Sequence, residues 1–294
     1  MNASPSTTKR LNDFKYLSPG SLTEAVDILN QSEKQAVIMA GGTDVLVMTK
    51  ARVITPGILV SMINIPGLSD ILESDQEIRI GALTVVADLL KSKQIQEKCS
   101  ALAEAAREFA TPHVRNMATI GGNICRSSPG GDLLPPLMAM DARLTIVGPD
   151  GERIQPIGDF ITGPGLNTLD REILTGITLP HTSNQSSSAF GKITRNTSDL
   201  AKINCAVFLE KTGVDCSIIR IVLGAVADRP VRLPGVEQAL EGKALTPALI
   251  ESAVVRTDDH IAPITDARST ADYRRKVSRV LTSRTILKAW ETLN

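Results

Sequence analysis

The feature that most limits what this chain can fold into is an aperiodic polar stretch well past its middle, His181-Thr-Ser-Asn-Gln-Ser-Ser-Ser188. With no apolar side chain and no helical or strand period, it reads as a linker. It divides 294 residues into 1–180 and 189–294, each of domain size. Two domains are expected, or one large domain with an appendage, rather than one continuous core.

Each part carries its own pattern. Residues 1–62 open with a polar tail, followed by Ser21-Leu-Thr-Glu-Ala-Val-Asp-Ile-Leu29. Ser21 with Glu24 three residues on has the form of a capping box, and Leu22, Ala25, Val26 and Leu29 fall at helical spacing. Two β-type runs follow, Ala36-Val-Ile-Met-Ala40 and Ile58-Leu-Val-Ser-Met-Ile63, so this part reads as a small α/β unit. Residues 63–180 mix strands around 77–80, 144–147 and 173–179 with a helix over Cys99–Phe109. A second helix follows Asp132, which is placed to be its N-cap, with Pro135 and Pro136 in the first turn where a missing N–H does no harm. Beyond the linker come strands around 204–210 and 218–225, then helices. The last, about Thr270 to Leu293, has an apolar stripe of Tyr273, Val277, Val280, Leu281, Leu287 and Trp290. Arg275, Arg279 and Lys288 lie opposite and read as a solvated face.

Composition removes several classes of function. Lys+Arg and Asp+Glu both number 32, so no basic excess draws the chain to nucleic acid. Five Phe, two Tyr and one Trp are too few for a base-stacking platform. No apolar run approaches the roughly 18 residues of a membrane span, and the opening residues lack the apolar core of a secretory signal. A cytoplasmic protein is expected. Cys99, Cys125, Cys205 and Cys216 form no CxxC, and His113, His181 and His260 stand far apart, so no metal site is expected. No catalytic residues stand out. There is no GxGxxG, and neither Gly191-Lys192 nor Gly242-Lys243 completes a P-loop.

Two glycine segments remain, Ala40-Gly41-Gly42-Thr43-Asp44 and Thr119-Ile120-Gly121-Gly122-Asn123. Paired glycines reach positive φ, so successive N–H groups can converge into an anion-binding nest. Thr43, Thr119 and Asn123 add side-chain donors, and two facing nests would suit a diphosphate. Asp44, repelled by phosphate, would accept from loop N–H groups or from ribose hydroxyls. The same residues would equally serve as two tight turns.

Ala40–Asp44 together with Thr119-Ile-Gly-Gly-Asn-Ile-Cys-Arg-Ser-Ser-Pro-Gly-Gly-Asp132 resembles the two flavin-binding signatures of the FAD-binding (medium) subunit of molybdenum hydroxylases, the family of xanthine dehydrogenase and carbon monoxide dehydrogenase. Flanking matches run nearly the whole chain: Phe14-Lys-Tyr, Arg79-Ile-Gly-Ala82, Val114-Arg-Asn116, Leu223-Gly-Ala with Pro230, and Tyr273-Arg-Arg. The resemblance implies an α+β fold. A two-subdomain FAD-binding region of PCMH type (1–180, divided near residue 62) would precede a C-terminal domain of antiparallel sheet and helices (189–294). It implies non-covalent FAD held by the two segments, with Asp132 near the isoalloxazine and Leu174 and Lys192 also touching the cofactor. The molybdenum cofactor and [2Fe–2S] clusters would then lie on a large and a small partner subunit, in a dimer of heterotrimers. The chain would pass electrons from those clusters through FAD to an external acceptor. Arg126 departs from the family pattern, standing where many relatives have Asn or Thr. The alternatives are a stand-alone FAD-dependent oxidoreductase of the same fold and a non-catalytic nucleotide-binding subunit.

Overall fold

The computed structural model describes residues 13–32, 35–196 and 198–293; the polar tail expected at the start lies outside them. The first unit contains β1 (Lys15–Leu17), α1 (Leu22–Gln31), β2 (Ala36–Met39), α2 (Val45–Lys50) and β3 (Ile58–Ser61). Its three strands pair in parallel in the order β1-β3-β2. The expected cap at α1 forms: Ser21 Oγ accepts from Glu24 N at 3.2 Å, while the Glu24 carboxylate accepts from Gly20 N at 2.9 Å, one residue ahead of the N–H used in a strict capping box. Ala25, Val26 and Leu29 of α1 bury against Met62, Ile65 and Leu68, the face their spacing marked.

The second unit runs through β4 (Ile71–Glu73), β5 (Glu77–Gly81), α3 (Val86–Lys91), α4 (Lys93–Lys98), α5 (Ser100–Glu108), α6 (Pro112–Arg115), α7 (Ile120–Arg126) and α8 (Leu134–Ala139). It continues with β6 (Arg143–Gly148), β7 (Gly151–Pro156), α9 (Ile157–Phe160), β8 (Ile161–Gly163), β9 (Leu166–Asn167) and β10 (Ile173–Pro180). Five of these strands form an antiparallel sheet, β4-β5-β10-β6-β7. The last strand of the unit therefore fills its centre, and residues far apart in sequence become neighbours there. Ile78, Ile80, Leu144, Ile146 and Ile177 of this sheet share one core with the buried Ala and Leu side chains of α5 and α8.

The third unit has β11 (Ser186–Ile193), β12 (Ile203–Thr212), β13 (Asp215–Gly224), β14 (Val231–Arg232), α10 (Pro234–Leu240), α11 (Pro247–Val254), a 3₁₀ turn (Val255–His260) and α12 (Ala271–Glu291). Its sheet is an antiparallel meander in chain order. Ile203 to Leu209 of β12 are buried without a break, because both faces are covered. Cys205, Val207 and Leu209 join the core shared with α10, α11 and α12. Ala206 and Phe208 point the other way, into the core of the second unit. A small parallel unit joined to two antiparallel sheets with flanking helices makes the chain as a whole α+β.

Three sequence expectations need correction. The polar run is a connection only over 181–185, because β11 begins at Ser186. Its last serine works inside the structure: Ser188 Oγ accepts from Ala101 N at 3.0 Å, satisfying one of the N–H groups that the start of α5 cannot pair internally. The buried face of α12 matches the expected stripe only in part: Leu281 and Trp290 are buried and Val277 and Leu287 pack beside them. Tyr273 and Val280 are 43% and 44% exposed, while Ser278, Thr282 and Thr285 are buried. The helix lies so close to β11 that a Cβ on Gly191 would come within 2.8 Å of Thr285 Oγ1, which calls for small side chains. Ser278 and Thr285 tolerate burial because each hydroxyl donates to the carbonyl four residues back, at 2.7 and 2.8 Å. Finally, the basic side of α12 stays half-exposed, as expected of a solvated face, but it has partners within the chain. Arg279 forks onto Asp258 (3.0 and 2.5 Å) and Lys288 pairs with Glu104 at 2.7 Å.

Candidate functional site

The first and second units meet along a cleft of about 320 Å³, within the range of small-molecule sites. Both glycine segments form its walls. Ala40, Gly41, Gly42, Thr43 and Asp44 come from the connection between β2 and α2, and Thr119, Gly122 and Asn123 from the start of α7. Leu174 of β10 lines it too. Ile120 and Gly121 are buried behind the wall. Asp132 and Lys192 stand outside the lining, paired with each other in the interior. Sequence reasoning named no site role for Met48, Ile54, Leu83, Leu169, Glu172 and Ile173, which also line it. Their spacing carries no motif, although Leu83 follows the flanking match at Ala82, and Glu172 and Ile173 adjoin Leu174.

The glycines are needed for reasons other than those expected. Only Gly42 of the four has positive φ, at +72°. A Cβ on Gly41 would sit 1.7 Å from the carbonyl oxygen of Met117, and one on Gly121 would sit 2.6 Å from that of Ala82. These two glycines let backbone pack on backbone and so seal the cleft. Gly121 and Gly122 belong to α7, not to a loop. Most of its first N–H groups are already engaged: Ile120 N with Thr84 O (3.0 Å), Gly121 N with Ala82 O (2.9 Å), Gly122 N with the capping Thr119 Oγ1 (3.1 Å) and Asn123 N with Thr119 O (3.0 Å). A second backbone nest, as the sequence led us to expect, is therefore absent from this segment. Asn123 offers a side chain instead. Its Oδ1 is buried in the wall with no hydrogen-bond partner, a state that ordinary interiors avoid.

Charge in the cleft is sparse. Glu172 is held by Arg153 through two 2.7 Å bonds, which lower its carboxyl below the usual range. Arg126, the last residue of α7, places its Nε 3.6 Å from Asp44 Oδ1 on the opposite segment. The Asp44 side chain makes no capping bond to α2. Burial pushes the Cys125 thiol up to about 12, so it contributes bulk rather than a nucleophile.

Asp132 is not an N-cap; Leu133 takes that position, without a side-chain bond. The Asp132 carboxylate is enclosed instead. It accepts from Lys192 Nζ at 2.7 Å and from Asn204 Nδ2 at 3.0 Å, and Lys192 also donates to Glu108 O at 3.0 Å. Burial pushes the carboxyl up, against the pull of Lys192 and then Asn204. Lys192 and Asn204 face each other across β11 and β12, so this cluster ties the third unit to the segment behind the cleft. Ala225 N strengthens that tie by donating to Pro129 O at 2.7 Å.

The cleft suits a dinucleotide. Apolar side chains (Met48, Ile54, Leu83, Phe109, Leu169) can cover flat rings, while polar atoms gather along the glycine segments. The buried Asn123 amide oxygen, without a partner within the chain, can accept a hydrogen bond from a ligand hydroxyl or N–H. Fold and site together define a dinucleotide-binding protein of two α+β units with an appended sheet domain.

Comparison with known proteins makes this specific. The sequence profile of the "FAD binding domain in molybdopterin dehydrogenase" matches residues 12–182, and that of the "CO dehydrogenase flavoprotein C-terminal domain" matches 188–289. The carbon monoxide dehydrogenase medium chain of Hydrogenophaga pseudoflava is 36% identical over 278 residues, covering 94% of this chain and 97% of the relative. The xanthine dehydrogenase FAD-binding subunit of Escherichia coli O157:H7 is 31% identical over 282 residues, covering 94% and 96%. A solved structure of carbon monoxide dehydrogenase from Hydrogenophaga pseudoflava, lacking the Mo-pyranopterin moiety of the molybdenum cofactor, superposes with a TM-score of 0.93 at 35% identity, over 96% of this chain and 99% of that one. The chain belongs to the FAD-binding medium subunits of the molybdenum hydroxylase family, and is an oxidoreductase subunit with FAD as its cofactor. Among the described residues no helix is long and apolar enough to cross a membrane.

Proposed function

We propose that this chain is the electron-transfer flavoprotein of a three-subunit molybdenum hydroxylase. A large partner would carry the molybdenum cofactor and oxidise the substrate, and a small partner would relay electrons through [2Fe–2S] clusters. The flavin on this chain would collect them and deliver them to an external acceptor, the whole assembling as a cytoplasmic dimer of heterotrimers. The domains follow as an FAD-binding region over 1–180, divided near residue 62, and a C-terminal domain over 189–294.

The single observation that carries this reading is the cleft, shared by both glycine segments and walled by apolar side chains. FAD supplies the redox chemistry, including the step between one-electron donors and a two-electron acceptor, while the protein binds and orients it. In our reading Thr43, Thr119 and Asn123 offer polar side-chain atoms to the diphosphate and ribose, and Asp44 accepts from ribose hydroxyls. Ala40, Gly41, Gly42 and Gly122 keep the backbone close to the cofactor, and Leu174 covers a ring. Ile120, Gly121, Asp132 and Lys192 act from behind as supports that hold those walls in register.

The test is purification with natural partners. The complex should be yellow, release intact FAD on acid precipitation, and contain molybdenum and iron. The isolated FAD-loaded chain should pass electrons from a reduced donor to a dye without hydroxylating any substrate of the complex. A colourless folded complex, flavin retained in the acid pellet, or hydroxylation by the single chain would each overturn the proposal.

A further inference from the structure

We propose that Arg126 binds the diphosphate of FAD, as a cation that Asp44 holds over the first glycine segment. The inference rests on the reading that FAD occupies this cleft.

The charged residues lining the cleft are Asp44, Arg126 and Glu172, and the charge of Glu172 is matched by Arg153. A diphosphate brings two negative charges beside Asp44, and among the described residues Arg126 is the lining side chain that can compensate them.

The start of α7 has its first N–H groups engaged with Thr84 O, Ala82 O, Thr119 Oγ1 and Thr119 O, so the second glycine segment has little backbone left to give. The guanidinium, by contrast, carries five N–H donors in a fork that matches phosphate oxygens. Its contact with Asp44, at 3.6 Å, is too long to occupy one of them as a hydrogen bond. At 38% exposure the group remains open to a ligand.

Its position is built in. Ser127, at φ +47°, ends α7 immediately after Arg126, and Asn167 Nδ2 donates to Cys125 O at 2.9 Å, fixing that last turn. Gly165, at φ +75°, lies alongside; a Cβ there would come within 3.1 Å of the guanidinium, tighter than an ordinary contact. Asp44, directly after Gly42 and Thr43, keeps the cation on the side where the diphosphate would lie.

The experiment titrates the flavin-stripped, full-length chain with FAD, and with ADP as competitor, for wild type, Arg126→Gln and Arg126→Lys. Circular dichroism verifies that all three are folded. Arg126→Gln should weaken FAD about tenfold, the effect of losing one charge-assisted contact at a half-exposed site, and ADP by a similar factor. The loss should shrink as salt rises, and Arg126→Lys should recover part of it. The reduction potential of bound FAD should not move, because a phosphate contact acts alike on both redox states. Unchanged FAD affinity in Arg126→Gln would overturn the proposal. So would a loss confined to FAD with ADP unaffected, or a shifted potential, which would put the cation at the flavin ring. Failure of the wild type itself to bind FAD would remove the underlying reading as well.

Discussion

The buried pair of Asp132 and Lys192 offers the sharpest test of how the third unit supports the cleft. Their side chains are 4% and 1% exposed and 2.7 Å apart. Asp132→Asn preserves the shape but leaves the Lys192 ammonium enclosed, with only Glu108 O as a full acceptor. Breaking a buried ion pair in this way costs about 3–5 kcal/mol, whereas loss of a simple helix cap would cost about 1 kcal/mol. At roughly 2–4 °C per kcal/mol for chains of comparable size, the melting temperature should fall by on the order of 10 °C. Thermal denaturation should be followed both by circular dichroism and by fluorescence of Trp290, the single tryptophan, which reports the third unit from α12. Lys192→Met should be similarly harmful near neutral pH. Its penalty should shrink on acidification, because burial already favours the protonated Asp132 carboxyl and the uncompensated charge then disappears. The double variant should be less destabilised than the sum of the singles, by at least about 1 kcal/mol. A fall of only a few degrees in Asp132→Asn, with additive behaviour in the double variant, would refute the buried-pair account.

Other outcomes follow from the same geometry. Gly41→Ala should lower both stability and FAD content, since its Cβ would collide with Met117 O at 1.7 Å; flavin content equal to wild type would count against the sealing role. Gly122→Val should keep most of the fold, costing about 1 kcal/mol through its crowding of the Thr119 cap, while flavin content, measured by release, drops. Asp266 has its carboxyl lowered to about 2: burial acts to raise it, but bonds from Arg274, Arg268 N and Ser269 N together outweigh that. Its stabilisation is therefore complete above about pH 4 and lost as pH falls toward 2, and melting curves of Asp266→Asn should show a smaller loss of stability than wild type across that window. Cys99, Cys205 and Cys216 are buried, their thiols pushed up to about 12 by burial, and should resist thiol reagents until unfolding. Cys125 has the same raised thiol but is half-buried in the cleft wall, so the slow labelling of the folded chain should fall on it and be slowed further by added FAD; equal rates with and without FAD would argue that the cofactor lies elsewhere.

Much of the local structure could be read from residue order alone, because its causes are local. The helix cap at Ser21, the apolar spacing of α1, the prolines opening α8 and the break near residue 181 all act over a few residues. The two glycine segments were visible for the same reason, and their resemblance to flavin-binding signatures already pointed to the right family. What those glycines do was not visible. Gly41 and Gly121 are required because distant carbonyls, of Met117 and Ala82, press against them, and no spacing rule reports a contact made by folding. Asp132 stands where a helix cap should be, yet it faces Lys192 and Asn204 from a different unit. That pairing exists only because β11 and β12 are laid across the back of the second unit. The basic face of α12 looked like free surface until Asp258 and Glu104 were brought against it. Short-range sterics and hydrogen bonding write themselves into adjacent residues. Partners separated by 60 residues or more, as Asp132 and Lys192 are, are chosen by how the sheets stack.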